Sequence, residues 1–329
     1  MSQLRLDPLT GRWVVISTDR ADRPFASFVP RVLPVEADPS RPCPFCPGNE
    51  GNTPPEIERA DASGRWQVRV LPNLYPAFSG DDPMVVSHLG PVFTQAPASG
   101  IHEVLVLSPE HRATWADLSD DHADQVMEVV RERMAAHATR AGLRYSQAIV
   151  NAGREAGASL EHPHGQLLGM PFIPSEITSE VAGFARFEGS CLLCTAVDAE
   201  ESVGYRIVHA DDRSVVICPF WSSMPYEMLV IPRRHSAHLH TARPPDSSSV
   251  GRTIRVALGA LREQLGDVAY NVVFHSAPFR SSAEYHWHVH LLPKVTTTAG
   301  FELGTGVMIN VVPPEDAANE LRPLASAAA

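Results

Sequence analysis

Two matched series of segments divide this sequence, and the duplication restricts the chain to folds built from one unit used twice. The first series is CPFC (43–46), VRVLPNLYPAF (68–78), HEVLVLSPEH (102–111), a helical stretch, YSQAIVNAG (145–153) and EHPHGQLLG (161–169). The second is CLLC (191–194), VVICPFWSSMPYEMLVIPRRH (215–235), another helical stretch, YNVVFHSAP (270–278) and YHWHVHLLP (285–293). Spacings repeat with the letters. Glu103 stands eight residues before His111, and Glu227 eight before His235. His111 and His162 are 51 residues apart, as are His235 and His286. Several such coincidences together point to a duplicated unit.

Each unit reads as the same α+β plan. EVLVL and EMLVI are short aliphatic runs bounded by proline, which predicts buried strands. A helix follows each. In the first, Ser119 is placed to cap, Asp120, Asp121 and Asp124 suit the positive helix start, and Ala123, Val126, Met127, Val130 and Met134 make an apolar stripe ending near Gly142. In the second, Ile254, Leu258, Leu261 and Leu265 do the same before Gly266. YSQAIVN, YNVVFH, HGQLLGM and HVHLLP return as strands. Residues 171–189 keep Phe172, Ile173, Phe184 and Phe187 and are expected to cross over rather than hang free, whereas TARPPDSSS (241–249) is expected to be a surface loop.

The chemistry begins with the cysteines. Four of the five form two C-x-x-C pairs, Cys43 with Cys46 and Cys191 with Cys194, and Cys218 stands alone. Thiols paired in this way in a reducing compartment favour a metal over a disulfide, and CPFC runs on into Pro and Gly, a turn rather than a redox helix start. Cys43, Cys46, His111 and His162 supply the Cys₂His₂ set of a closed zinc site. Alternation along an extended strand would set His162, His164 and Gln166 on one side, leaving His164 free beside a ligand. With 27 Lys+Arg against 38 Asp+Glu the net charge is -11, which argues against a nucleic-acid partner. The first thirty residues show no secretory apolar core and no stretch approaches the roughly 20 apolar residues of a membrane helix, so a cytoplasmic protein with no membrane partner is expected.

HPHGQ (162–166), with NAGREAGAS upstream and DPLTGRWVVISTDRADRP near the N-terminus, resembles the galactose-1-phosphate uridylyltransferase family, the transferase branch of the histidine-triad superfamily. The resemblance runs nearly end to end. It implies a tandem duplication of a histidine-triad-like unit, with an antiparallel sheet and flanking helices in each half: residues 1–170 with nucleophile and zinc site, and 171–329 with a second metal site. It further implies His164 as a nucleophile uridylylated on the way, Gln166 as donor to a phosphoryl oxygen, Arg20 and Arg23 as phosphate ligands, and Asn73, Asn151 and Ser159 as polar contacts to nucleotide and phosphates.

Two metal sets compete in the second half. Duplication selects Cys191, Cys194, His235 and His286. Resemblance to members lacking the second cysteine pair selects Glu180, His275, His288 and His290. Both thiols are present and the 51-residue spacing is shared, so the zinc set is preferred, giving one or two zinc ions per chain. The sugar-contact segment of the family has only FELGTGVMIN (301–310) as counterpart, with Val307 and Met308 after Gly306, so the sugar contacts do not carry over. In the family that segment reaches the partner subunit, which implies a homodimer. The expected activity is exchange of UMP between UDP-glucose and galactose 1-phosphate through uridylyl-His164. The alternatives are an ADP-glucose phosphorylase or adenylyltransferase with the same nucleophile, and a zinc-stabilised nucleotide-binding protein without turnover.

Overall fold

The strands of the two repeated series pair into one sheet. In the computed structural model, which describes residues 2–20, 42–281 and 284–329, the first series holds β1 (Gln3–Leu6), β2 (Trp13–Ile16), β3 (Glu58–Ala62), β4 (Arg65–Pro72), a short hairpin of β5 (Ser87–His88) and β6 (Thr94–Gln95), β7 (Ile101–Val106), α1 (Asp120–Thr139), β8 (Tyr145–Ala152) and β9 (His164–Met170). The remainder supplies α2 (Ser175–Arg186), α3 (Leu192–Val203), β10 (Ile207–Ala210), β11 (Ser214–Ile217), β12 (Met228–Pro232), α4 (Pro244–Leu265), β13 (Tyr270–His275), β14 (His288–Pro293), α5 (Gly300–Thr305), β15 (Met308–Asn310) and α6 (Pro314–Ala328).

Ten of these strands form a single antiparallel sheet in the order β10-β11-β12-β14-β13-β8-β9-β7-β4-β3. The order reads outward identically from the β13–β8 seam, so the expected α+β halves share one sheet. β1, β2 and β15 make a separate small sheet in which β15 runs parallel to β2 and ties the two ends of the chain together.

Alternation gives the large sheet two unlike faces. One packs on α1, α4 and α6 through Val126, Met127, Val130, Val230, Ile254, Leu258 and Val289, all nearly fully buried. Each such side chain is worth roughly 1.5–3 kcal/mol when removed from water. The caps stand where the letters place them. Ser119 Oγ accepts the His122 N–H at 3.3 Å, and Gly266 ends α4 at φ +73°, a conformation glycine adopts without a side-chain clash. The opposite face carries the functional side chains and is covered in the second half by α2 and α3, through Phe184, Leu192 and Leu193 against Val215, Ile217, Leu229 and Ile231.

Two expectations are corrected. Most of the stretch 241–249 is helix: Pro244 starts α4, Asp246 in its first turn is gripped by Arg243 and Arg213, and Ser247 and Ser249 are buried. Proline suits a first helical turn, where its missing N–H costs nothing. The equal Glu-to-His spacing also misleads. Val104 lies opposite Gln166, and Leu229 lies opposite His290. Counting back two residues along each strand makes His102, not Glu103, the counterpart of Glu227. Glu103 points to the helix side, where Arg133 Nη2 donates to it at 2.6 Å and His137 lies at 3.3 Å.

Candidate active site and metal centres

The functional face begins where β9 starts. Gly165 lets β9 lie close to β8: a methyl group there would sit 2.7 Å from the Ile149 carbonyl oxygen. His164 and Gln166, either side of it, both face away from the helices, and His162 belongs to the lead-in before the strand. The His162 ring turns toward the cysteines while its carbonyl oxygen accepts from His164 Nδ1 at 2.8 Å. A carbonyl only accepts, so the His164 proton sits on Nδ1 and Nε2 keeps a free lone pair. Burial lowers the His164 pKa from 6.5, opposed by that same carbonyl, and so favours the neutral ring.

The same logic fixes which ring nitrogens of His162 and His286 face the cysteines. His162 Nε2–H donates to the Ser108 carbonyl at 2.8 Å, leaving Nδ1 bare and 3.6 Å from Cys46 Sγ. His111 Nδ1 is 3.3 Å from that sulfur. Burial pulls His162 down to about 4. In the second half, His286 Nε2–H donates to the Pro232 carbonyl at 2.8 Å, and its bare Nδ1 faces Cys194 at 3.5 Å and Cys191 at 3.7 Å. His235 Nδ1 is 3.8 Å from Cys194. Each Cys₂His₂ set gathers its four ligand atoms within 4.8 Å, and a deprotonated nitrogen beside two thiols is what zinc requires. CPFC is a turn, as expected. CLLC instead opens helix α3, with Cys191 as its N-cap.

The third set also converges, so the two candidates for the second half do not exclude one another. Glu180, His275, His288 and His290 bring their ligand atoms within 4.8 Å. Glu180 Oε1 lies 2.8 Å from His275 Nδ1 and 3.8 Å from both His288 Nε2 and His290 Nε2, and Tyr285 donates its hydroxyl to the same carboxylate. Glu180 stands on the buried stripe of α2 with Ile177, Gly183 and Phe184; despite desolvation, which alone would raise it, His275 and His288 hold it well below the ordinary carboxylate range. The set borders a cavity of about 640 Å³ walled by Trp13, Glu176, Trp221, Glu227, Gly306 and Met308. The late segment thus lies on the third set's cavity.

Of the other expected residues, Asn73 and Asn151 join the functional face. Asn73 follows β4 and its Nδ2 lies 3.1 Å from His102 Nε2. Asn151 is two residues from Ile149, the partner of Gln166, and its Oδ1 accepts from Asn271 Nδ2 at 2.8 Å. Ser159 is exposed in the loop before β9. Arg20 closes a short 3-10 turn after β2, and no hydrogen bond or ion pair joins it to His164 or Gln166 among the described residues. Arg23 lies outside the described residues. Three contributors escape motif reading: His102, 2.8 Å from Gln166 Oε1; Asn271, at the seam; and Phe45, whose ring packs between His162 and His164 at about 5.9 and 5.8 Å. Alternation puts His102 on one face with Val104 and Val106, but only strand register reveals what lies opposite.

Known proteins resemble this chain along nearly its whole length. Residues 1–174 match the family described as galactose-1-phosphate uridyl transferase, N-terminal domain, and 177–327 match its C-terminal domain. An ADP-glucose phosphorylase of Arabidopsis thaliana is 32% identical, covering 97% of this chain and 92% of that protein. A galactose-1-phosphate uridylyltransferase of Thermotoga maritima is 28% identical, with 98% of each covered. The crystal structure of an Arabidopsis thaliana ADP-glucose phosphorylase with bound ADP-glucose superposes with a TM-score of 0.83 at 29% identity, covering 98% of both chains.

Proposed function

The chain belongs to the galactose-1-phosphate uridyl transferase family, and we propose that it exchanges UMP between UDP-glucose and galactose 1-phosphate through a covalent intermediate on His164. One observation carries this: the His162 carbonyl fixes the His164 proton on Nδ1, and Nε2 is left as an oriented, neutral nucleophile two residues from a side-chain amide. Nε2 forms a bond to the α-phosphorus as the bond to the bridging oxygen breaks, and glucose 1-phosphate departs with that oxygen. Galactose 1-phosphate then attacks the same phosphorus and the N–P bond returns its electrons to the ring. Gln166 donates to a non-bridging oxygen, where charge gathers in the transition state. Arg20, Arg23, Asn73, Asn151 and Ser159 are assigned to phosphates and nucleotide on the family match.

Zinc on Cys43, Cys46, His111 and His162 would hold the backbone from which His164 is aimed, and zinc on Cys191, Cys194, His235 and His286 would serve the second half in the same way. Both sets fit on donor chemistry, and Glu180, His275, His288 and His290 offer harder donors suited to a further divalent cation. A homodimer is part of the reading. It is supported by large apolar side chains left outside: Leu4 (65% exposed), Leu6 and Trp13 on one face of the small sheet, Leu303 (76%) and Phe301 on α5, and Val92 (75%) and Phe93 near β6. Light scattering behind size exclusion checks it. The five free cysteines suit a reducing, cytoplasmic setting, and among the described residues no helix is long and apolar enough to cross a membrane.

A second reading keeps His164 and takes ADP-glucose with phosphate as acceptor. It is favoured by the 32% identity and the 0.83 TM-score to the ADP-glucose phosphorylase. Both are tested by incubating the protein with UDP-glucose or ADP-glucose labelled in the α-phosphate. Label retained on protein from UDP-glucose and chased by galactose 1-phosphate supports the first reading; label from ADP-glucose alone, chased by phosphate, supports the second. No label from either, or label persisting in His164→Ala, refutes both.

A further inference from the structure

We propose that His102 is a positioning residue that aims the Gln166 amide at the transferring phosphoryl group; the proposal rests on the reading of His164 and Gln166 given above. The Ala77 backbone N–H can only donate, and it meets His102 Nδ1 at 3.0 Å. Nδ1 is therefore the bare nitrogen, and the neutral ring carries its proton on Nε2. Nε2 lies 2.8 Å from Gln166 Oε1, so the ring donates to the amide oxygen. With its oxygen held, the Gln166 amide cannot flip, and both its N–H groups are left for another acceptor. Asn73 Nδ2, also a donor, stands 3.1 Å from the same Nε2 and cannot bond it in this tautomer; the Ala77 N–H is backbone and cannot turn away from Nδ1, whereas the Asn73 side chain can turn, so the backbone contact fixes the ring.

The duplicated half supplies an independent observation. Register makes Glu227 the counterpart of His102 and His290 the counterpart of Gln166. Glu227, 5% exposed, faces His290 Nδ1 at 3.7 Å and is itself braced by the Ser223 N–H and hydroxyl at 2.5 and 2.8 Å. Both halves thus put a polar side chain at the same point of the neighbouring strand, directed at the third position of the H-x-H-x-H or H-x-H-x-Q string. An unanchored glutamine amide rotates broadly about its last torsion and presents either end. Donors fixed in advance are the ones that stabilise developing charge without reorganising.

The test compares two substitutions that separate the ring nitrogens. His102→Gln reaches to the Nε2 position with a donor, whereas His102→Asn keeps an acceptor near Nδ1 and loses the reach to Gln166. In the nucleotide-exchange assay with the full chain, H102N is expected to lose on the order of 10–100-fold in kcat with KM within about 3-fold, and H102Q to stay within about 5-fold of wild type. In a Gln166→Ala background, H102N should add less than about 2-fold. Equal activity of wild type, H102N and H102Q overturns the proposal, as does H102N surviving while H102Q fails, which would assign the ring to the Ala77 segment. The same H102N loss in the Q166A background overturns it too. A wild-type chain that transfers no nucleotide refutes the His164 reading instead, before any variant is made. Long-range ¹H–¹⁵N spectra of histidine-labelled wild type decide the geometry whether or not the variants fold: the Nε2–H tautomer for His102 supports it, and the Nδ1–H tautomer overturns it.

Discussion

Replacing Gly165 with alanine asks whether the spacing of two strands sets the reactive geometry. The new methyl would lie 2.7 Å from the Ile149 carbonyl oxygen and 3.1 Å from Val150 Cγ2. Ile149 O is backbone on the adjacent strand, so no rotamer change relieves the contact. A non-bonded carbon rests about 3.5 Å from its neighbour, so β8 and β9 must part by up to roughly 0.8 Å. The strain costs about 1–3 kcal/mol, within what a domain holding roughly 5–15 kcal/mol survives. Activity should suffer far more. His164 and Gln166 flank the altered residue, and misplacing reacting groups by nearly an ångström costs on the order of 100-fold. The control is Gly259→Ala in α4, where the nearest atom to the added methyl is Ala328 Cβ at 3.7 Å; there helix propensity should add about 0.5–1 kcal/mol with exchange unchanged. Urea midpoints and exchange rates on the three proteins make the comparison. A G165A protein that is destabilised as described yet exchanges at the wild-type rate would show that β8–β9 spacing does not govern the site.

Metal analysis of the purified chain should give close to two zinc per chain, with Cys43→Ser and Cys191→Ser each removing one; a single zinc indifferent to replacing Cys191 and Cys194 would eliminate the second thiolate site. Because burial lowers the His164 pKa from 6.5 and the neutral ring attacks, kcat/KM should fall on an acid limb whose midpoint lies under 6.5; a midpoint at or above 6.5 would show that burial does not lower this ring, and the absence of an acid limb would contradict the neutral nucleophile. His240 is pushed down to about 4, first by burial and then by neighbouring His238. The unfolded chain therefore takes up that proton first, and stability present above 6.5 drains as pH falls from 6.5 toward about 4. His240→Gln should flatten the difference between urea midpoints near neutrality and near pH 5, and an unchanged difference would place the acid sensitivity elsewhere.

What was legible in the sequence was whatever local pattern encodes. The Ser119 cap and the α1 and α4 stripes depend on short-range spacing and stand where the letters put them; the two cysteine-histidine sets were read from the repeat and the third set from the family resemblance, and the side chains of all three converge. Register is not local. Equal eight-residue gaps suggested that Glu103 and Glu227 were equivalent, but the first half has one more residue between the aligned strand position and the histidine that faces its cysteine pair, which turns Glu103 to the other face. His102 was overlooked for the same reason, since nothing near it in sequence says that Gln166 lies within reach. The loop expected at 241–249 failed on composition: Pro and Ser read as breakers, yet proline at a first turn and serines bonded into buried networks are compatible with a helix.

The two halves share one backbone device and differ in what stands opposite it. His288 Nδ1–H donates to the His286 carbonyl at 2.8 Å, as His164 Nδ1–H does to His162. Both rings therefore present a bare Nε2 to the same face of the sheet, and strand geometry alone does not distinguish a nucleophile from a ligand. The crossover does. Helix α2, which follows β9 directly, carries Glu180 on its buried stripe and lays that carboxylate 3.8 Å from His288 Nε2, with His275 and His290 beside it. His164 has a glutamine in place of His290, and no carboxylate forms an ion pair with it among the described residues. The second nitrogen faces a buried carboxylate and its neighbours, while the first has no such partner among the described residues. The two copies thus differ by what the connecting helix lays against them, while the carbonyl that fixes the tautomer is common to both.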